Sequence, residues 1–333
     1  MAVVAAVTAA VPTITVRVQE ARLVAGDVRV FRLRGDAALP GFTAGAHVNV
    51  QVLTADGRAD WRRYSLVNLD PAPGATDAPA DYLLAVRLEA GGRGGSQHMH
   101  HAVQVGDTLL IEPPRNDFPH SAHAGRSVLI AGGIGITPMA SMAAHGLGSG
   151  QAMRLHYAGR SRASMAWLPE LQALLGDTLQ VHADDERGGP LDIAAILAAS
   201  QPQDHVYVCG PQPMLDAVLR HTAALGWAPE RVHFELFSAP QGDTADSAFE
   251  VELADSGRHL TVPADRTLLD VLNEAGCDVM SDCERGECGV CAVQVISGEI
   301  DHRDYVLTEK EKQAGKLMHA CVSRCRGRLV LKL

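Results

Sequence analysis

Three cysteines in SDCERGECGVC, Cys283, Cys288 and Cys291, follow the spacing C-x4-C-x2-C, and Cys321 in HACVSRC lies thirty residues further on. No other feature of the chain restricts its fold so tightly. Four thiolates at this plant-type spacing hold the two irons of a [2Fe–2S] cluster, which requires a tight loop to gather three of them and distant chain to return the fourth. Gly286 and Gly289 let such a loop turn sharply and aim backbone N–H groups at sulfur. A zinc site, whose common spacings start from paired C-x2-C, and free thiols that happen to cluster are the alternatives. Cys277 and Cys325 read as structural or incidental thiols, although Cys325, four residues past Cys321, competes for the place of fourth ligand. Seven cysteines in 333 residues make an odd number at no disulfide-like density, so reduced thiols or metal ligands fit better than a secreted framework.

A chain of this length exceeds one ordinary core and suits two or three domains. With 47% hydrophobic residues, 20% charged and a formal charge of −10, its composition is globular and its acidity argues against nucleic acid as a partner. The apolar start MAVVAAVTAAVPTITV has no Lys or Arg before its run and breaks at Pro12, short of the ~20 residues a membrane span needs. The expectation is a cytoplasmic, monomeric protein that binds no membrane.

From residue 12 to 123 short β-rich runs (ITVRVQEARL, VRVFRL, HVNVQVL, YLLAVRLEA, DTLLIEPP) alternate with Gly, Pro and Asp, the pattern of an antiparallel β-barrel or sandwich. Residues 124–237 change character. SVLIAGGIGITPMASMAAH reads as strand, glycine turn and helix, followed by a strand in MRLHYAGR, a helix in LPELQALL, a strand in HVYVCGP and a helix after it. Strands alternating with helices imply a parallel, doubly wound α/β sheet. Residues 238–248 (SAPQGDTADS and the residue after it) read as a linker, and 249–333 as a compact third domain with a hairpin in FEVELADSGRHLTV, a helix in TLLDVLNEAG and the cysteine loop.

Two kinds of cofactor signal precede that loop. In AGGIGITP (131–138), where strand hands over to helix, Gly132, Gly133 and Gly135 permit a tight turn and close backbone approach, and the helix opened by Thr137 and Pro138 favours a pyrophosphate at its N-terminus. RRYSL (62–66) places Arg62 for a phosphate and Tyr64 and Ser65 against a flat ring, and GRGGS (92–96) offers a second phosphate cradle in Gly94, Gly95 and Ser96. An exposed basic pair before a buried tyrosine, and a long hairpin turn, are the plainer readings of these two stretches. The histidines His98, His100 and His101 of QHMHH lack a nearby acid or cysteine to complete a metal site and read as the start of a helix.

R-x-Y-S-L, G-R-G-G-S, PPRNDF, AGGIGITP, YVCGPQPM, FELF and the C-terminal cysteine loop stand in the order found in the phthalate dioxygenase reductase family, which this chain resembles from about residue 12 to 333. The resemblance implies a flavin-binding β-barrel, an NAD(P)-binding α/β domain and a β-grasp plant-type ferredoxin domain. It implies FMN held by Arg62, Gly94, Gly95 and Ser96, with Tyr64 flanking the ring and Ser65 near its N5. It implies NADH as substrate, with Cys209 and Gly210 of the CGP turn, Glu235 and Phe237 meeting at the nicotinamide. It implies a [2Fe–2S] cluster on Cys283, Cys288, Cys291 and Cys321, fed one electron at a time after hydride reaches the flavin.

The partner the resemblance implies is a separate Rieske-type oxygenase of an aromatic dioxygenase or demethylase system. A reductase of another monooxygenase system, or a redox carrier or sensor without turnover of its own, is the competing reading. Lack of an aromatic in NLDPAPGATDAPAD, on which adenine could stack, agrees with FMN rather than FAD. Local chemistry disagrees about the nicotinamide cofactor, because AGRSR lacks an acid for a ribose 2′-OH and its Arg160 and Arg162 suit a 2′-phosphate. Around the cysteine loop Asp270, Glu274, Asp278, Asp282, Glu284 and Glu287 outnumber Arg285, so the expected docking to the oxygenase is transient and salt-sensitive, against the plainer reading of a solvated face.

Overall fold

A computed structural model describes residues 11–92, 94–240, 242 and 245–333, and the chain divides into two compact units after Glu235. The first unit begins with strands β1 (Ile14–Ala25), β2 (Val28–Gly35), β3 (His47–Leu53), β4 (Ala59–Ser65) and β5 (Asp81–Arg87). A short helix α1 (Gly95–His101) and β6 (Thr108–Ile111) complete this part. Every pairing is antiparallel, in the order β4-β3-β6-β1-β2-β5, and Val67 N–H donates to the Leu83 carbonyl at 2.9 Å to draw the two outer strands toward closure. Alternation decides what lies inside. Val48, Val50 and Val52 of β3 point to the same interior as Val16, Phe31, Leu33 and Leu84, and Met99 of α1 fills one end of it.

The chain then turns to β7 (Ser127–Gly132), α2 (Ile136–Ser149), β8 (Met153–Gly159), α3 (Leu168–Leu175), β9 (Leu179–Ala183), α4 (Asp184–Arg187), α5 (Ile193–Ala198), β10 (His205–Cys209), α6 (Gln212–Ala224) and β11 (Val232–Glu235). These five strands are parallel in the order β11-β10-β7-β8-β9. All six residues of central β7 are buried, as helices on both faces require. One apolar core runs through both parts: Val28, Val30, Val67 and Phe118 pack with Met139, Met142 and Ala143 of α2. Ser141 Oγ on α2 donates to the Leu66 carbonyl at 2.7 Å and accepts from Asn68 N–H at 2.8 Å, so the chain leaving β4 is pinned to the helix that leaves β7.

The second unit holds β12 (Phe249–Leu253), β13 (Arg258–Val262), α7 (Leu268–Glu274), β14 (Ala292–Asp301), α8 (Glu309–Ala314), β15 (Leu317–His319) and β16 (Arg324–Leu331). Its sheet runs β13-β12-β16-β14-β15, with β12 and β16 parallel and the other pairs antiparallel. Leu268, Leu269 and Leu272 of α7 are buried in its core, which makes this a β-grasp arrangement. The helix starts at a capping box of Thr267 and Asp270. Among the described residues no helix is long and apolar enough to cross a membrane.

Candidate functional site

Strand β4 presents Arg62 and Tyr64, paired across the hairpin with Val50 and Val48, and ends at buried Ser65 opposite His47. Arg62 Nη1 donates to the Trp61 carbonyl at 2.9 Å and pairs with Asp60, but its Nη2 is buried with no hydrogen-bond partner. A buried guanidinium nitrogen without an acceptor costs free energy that an entering anion would recover. The helix start beside it is shaped to admit close approach: a Cβ on Gly95 would fall 2.8 Å from Arg62 Cγ. Gly94 has φ +91°, and a Cβ there would fall 2.4 Å from Ala55 N. These residues fit a phosphate. The Ser96 hydroxyl is already engaged, accepting from Glu89 N–H at 3.0 Å. Tyr64 is half-buried against the barrel core, and burial pushes its hydroxyl pKa up. QHMHH is helical, and His100 Nε2 lies 2.8 Å from the Val86 carbonyl.

In the nucleotide part the glycines explain one another. A Cβ on Gly135 would fall 2.0 Å from the Cys209 carbonyl oxygen, and one on Gly132 2.6 Å from Pro211 Cδ, so the turn after β7 and the CGP turn after β10 pack backbone to backbone. Gly133 takes φ +53° with open space beside it, which leaves a cradle at the strand-to-helix turn. Thr137 Oγ1 donates to the Ile134 carbonyl at 3.0 Å and stiffens that turn, and Pro138 is buried in the first turn of α2. Cys209 and Glu235, the last residues of β10 and β11, are register partners and both buried. Phe237 is 39% exposed and belongs to the second unit.

In the second unit the cysteine loop spans the chain between α7 and β14. Gly286 and Gly289 take φ +79° and +77°, and a Cβ on Gly286 would fall 2.9 Å from Val322 Cγ2, so both bends need glycine. Arg285 and Glu287 N–H groups donate to Cys283 Sγ at 3.3 and 3.4 Å. The four thiols gather at one place: Cys288 interacts with Cys283, Cys321 hydrogen-bonds Cys291 and lowers its pKa to about 6, and Cys321 also lies within reach of Cys283. Among the described residues no three His, Cys, Asp or Glu converge as a single-ion site. Four gathered thiolates suit a binuclear cluster, in which each of two irons takes two sulfurs. Cys325 is buried in β16 with its thiol directed at the Arg326 carbonyl, 3.6 Å away, and Cys277 packs against the domain core.

Two buried side chains beside the loop carry no motif signal in the sequence. Asp304 Oδ2 accepts from Leu307 N–H at 2.8 Å and lies 3.3 Å from His319 Nδ1. Burial lifts the Asp304 carboxyl, yet His319 and the Leu307 N–H outweigh it and leave its pKa at about 2. A Cβ on Gly286 would touch Asp304 Cα at 3.1 Å, so this pair buttresses the loop. One expected docking acid is corrected: Glu287 accepts from Leu236 N–H and pairs with half-buried Arg285, so it is internal bonding rather than open face. Glu274 is bound by Arg266, whereas Asp278, Asp282 and Glu284 are exposed.

Residues 15–120 match the oxidoreductase FAD-binding domain, 129–220 the oxidoreductase NAD-binding domain and 251–326 the 2Fe-2S iron-sulfur cluster binding domain. The chain is 40% identical over 324 residues to the toluene-4-sulfonate monooxygenase system reductase subunit of Comamonas testosteroni, covering 96% of this chain and 99% of that one. It is 40% identical over 329 residues to a vanillate O-demethylase oxidoreductase of a Pseudomonas strain, covering 96% and 100%. A solved phthalate dioxygenase reductase, described as a modular structure for electron transfer from pyridine nucleotides to [2Fe–2S], superposes with a TM-score of 0.72 at 36% identity, covering 96% of this chain and 98% of that one.

Proposed function

Because the chain belongs to the phthalate dioxygenase reductase family, oxidoreductases that join flavin, NAD and 2Fe-2S domains, we propose that it passes electrons from NADH through FMN and a [2Fe–2S] cluster to a separate Rieske-type oxygenase. The observation that carries this reading is the gathering of the three loop thiols with that of Cys321, in a chain that also holds a phosphate-ready Arg62 and a nucleotide turn. When bound, flavin and cluster supply the conversion of a two-electron hydride donor into single-electron deliveries.

The chain's own residues do the placing. Arg62 and the Gly94–Gly95 backbone hold the flavin phosphate, Tyr64 flanks the ring and Ser65 lies at the edge that receives hydride. Gly132, Gly133, Gly135, Thr137 and Pro138 take the pyrophosphate, with Cys209, Gly210 and Glu235 at the nicotinamide. The Ser141 bridge from α2 to Leu66 and Asn68 keeps these two sets in one geometry, which is the larger part of catalysis when the chemistry belongs to the cofactors. Cys283, Cys288, Cys291 and Cys321 hold the cluster, and exposed Asp278, Asp282 and Glu284 guide the oxygenase to it in a transient complex.

Purified protein is expected to carry about two iron atoms and two acid-labile sulfides per chain and to reduce cytochrome c with NADH. Cys291→Ser is expected to lose that reduction more than about tenfold while NADH still bleaches the flavin. Zinc in place of iron, or an intact cluster in the variant, overturns the reading. Flavin released by heat is expected to chromatograph as FMN, because the 68–80 loop offers no aromatic for adenine. FAD as sole product removes that part.

A further inference from the structure

Residues that sort NADH from NADPH sit where the second strand of a doubly wound sheet ends: an acid accepts from the ribose 2′-OH, or an arginine takes the 2′-phosphate. Here that strand is β8, which lies beside β7 and ends at Gly159, and the turn after it carries Arg160 and Arg162 but no acid. The acid comes from the neighbouring turn instead. Arg162 Nε donates to Glu186 Oε1 at 2.7 Å, and Glu186 stands on α4, directly after β9. The two turns are tied together by Asp185 N–H donating to the Arg160 carbonyl at 3.2 Å, and the Ser161–Ser164 capping box fixes the approach of Arg162. Arg162 and Glu186 are each 47% exposed, so a ligand from solvent reaches both. Asp184 and Asp185 share the turn with Glu186.

We propose that Glu186, through its ion pair with Arg162, sets the preference of this site for NADH over NADPH. A 2′-phosphate has to displace a carboxylate from Arg162 and then lie beside Glu186 and its acidic neighbours. A 2′-hydroxyl meets no such repulsion and can donate to Glu186. An exposed ion pair contributes little to stability, so its consequence lies in discrimination between ligands rather than in holding the fold. Arg160, also exposed and without an ion pair among the described residues, is left to a pyrophosphate or to solvent. This inference rests on the dinucleotide reading above and adds the residues that choose between its two forms.

The test compares kcat/KM for NADH and NADPH in flavin reduction by the full chain, together with competitive inhibition by 2′,5′-ADP. The wild type is expected to favour NADH. Glu186→Gln is expected to raise the NADPH-to-NADH ratio about tenfold and to tighten 2′,5′-ADP by a similar factor, the size of one charge-assisted hydrogen bond regained. Adding Arg162→Leu to Glu186→Gln is expected to cancel both gains. A wild type that favours NADH and a Glu186→Gln ratio that does not move overturns the role of Glu186 while leaving the cofactor reading in place. A gain that survives Arg162→Leu overturns the ion-pair route. A wild type that favours NADPH overturns the NADH reading itself, and this inference with it.

Discussion

At the scale of single residues, the proposed flavin-phosphate site depends on the absence of one methyl group. Gly95 abuts Arg62 so closely that a Cβ would sit 2.8 Å from its Cγ and 2.9 Å from its Nε, and 3.1 Å from Val52 Cγ2. Gly95→Ala therefore has to push the guanidinium stem off the site or lift α1 from the hairpin. Overpacking of this kind costs about 1–3 kcal/mol. The flavin is expected to bind about tenfold to a hundredfold more weakly, measured by fluorescence titration of the apoprotein with FMN, while iron content stays unchanged. Undiminished FMN affinity in Gly95→Ala would mean that the phosphate lies elsewhere. GRGGS announced a backbone cradle in the sequence, but not which glycine touches Arg62 or that the Ser96 hydroxyl is turned to Glu89. Those depend on where the β3–β4 hairpin meets α1, contacts that no run of five residues encodes.

At the scale of elements, the N-terminal ends of β7, β10 and β11 carry a run of imidazoles on which the parallel sheet rests. His123 stacks on His205 with ring centroids 3.9 Å apart, His205 Nδ1 lies 3.0 Å from His233 Nε2, and His233 stacks on Tyr207 at 4.3 Å. His120 bridges to His145 at 3.0 Å and to Ser127 Oγ at 2.8 Å. Burial first, and the neighbouring imidazoles second, lower His120 and His233 to about 4. Burial, then His123 and Arg231, lower His205, and Asp204, which pairs with Arg126, opposes this. Unfolded histidine titrates near 6.5. The stabilisation from neutral rings is therefore complete above about pH 6.5 and is lost as pH falls toward 4. The apparent Tm is expected to drop by at least about 5 °C between pH 7 and 4.5, and His233→Gln to flatten that slope. A Tm flat to pH 4.5 would show that the stack takes up protons without cost. None of this was legible in the sequence, because residues 120, 123, 145, 205 and 233 meet only after the sheet forms. The sheet itself was legible: SVLIAGGIGITP announces β7, its turn and α2 by an apolar run, glycines and a helix start. LQVHA and the Ala-rich IAAILA, which form β9 and α5, lack such punctuation.

At the scale of the whole molecule, a chain with a net charge of −10 that passes electrons to an oxygenase partner has acidic surface to offer it. The order of motifs announced the three domains, and the cysteine spacing announced the cluster loop. Which acids face outward was not readable, since Glu287 counts as one more carboxylate in sequence and turns out to bind Leu236 N–H and Arg285. In the second unit Asp278, Asp282 and Glu284 are exposed, as are Cys288, Met280 at 75% and Val290 at 42%. Exposed acids and a few exposed apolar side chains suit brief docking: charge speeds the encounter and fixes its orientation, while little buried area keeps a complex weak. Reversing Asp282 and Glu284 to Lys is expected to slow electron delivery to the oxygenase about tenfold at low ionic strength, with NADH-to-flavin reduction unchanged. Raising salt from about 0.01 to about 0.15 M, which shortens the Debye length from about 30 to about 8 Å, is expected to slow the wild type and spare the double variant. Wild-type turnover by Asp282→Lys/Glu284→Lys at low salt would assign these acids to solvation alone and leave Met280 and Val290 as the contact.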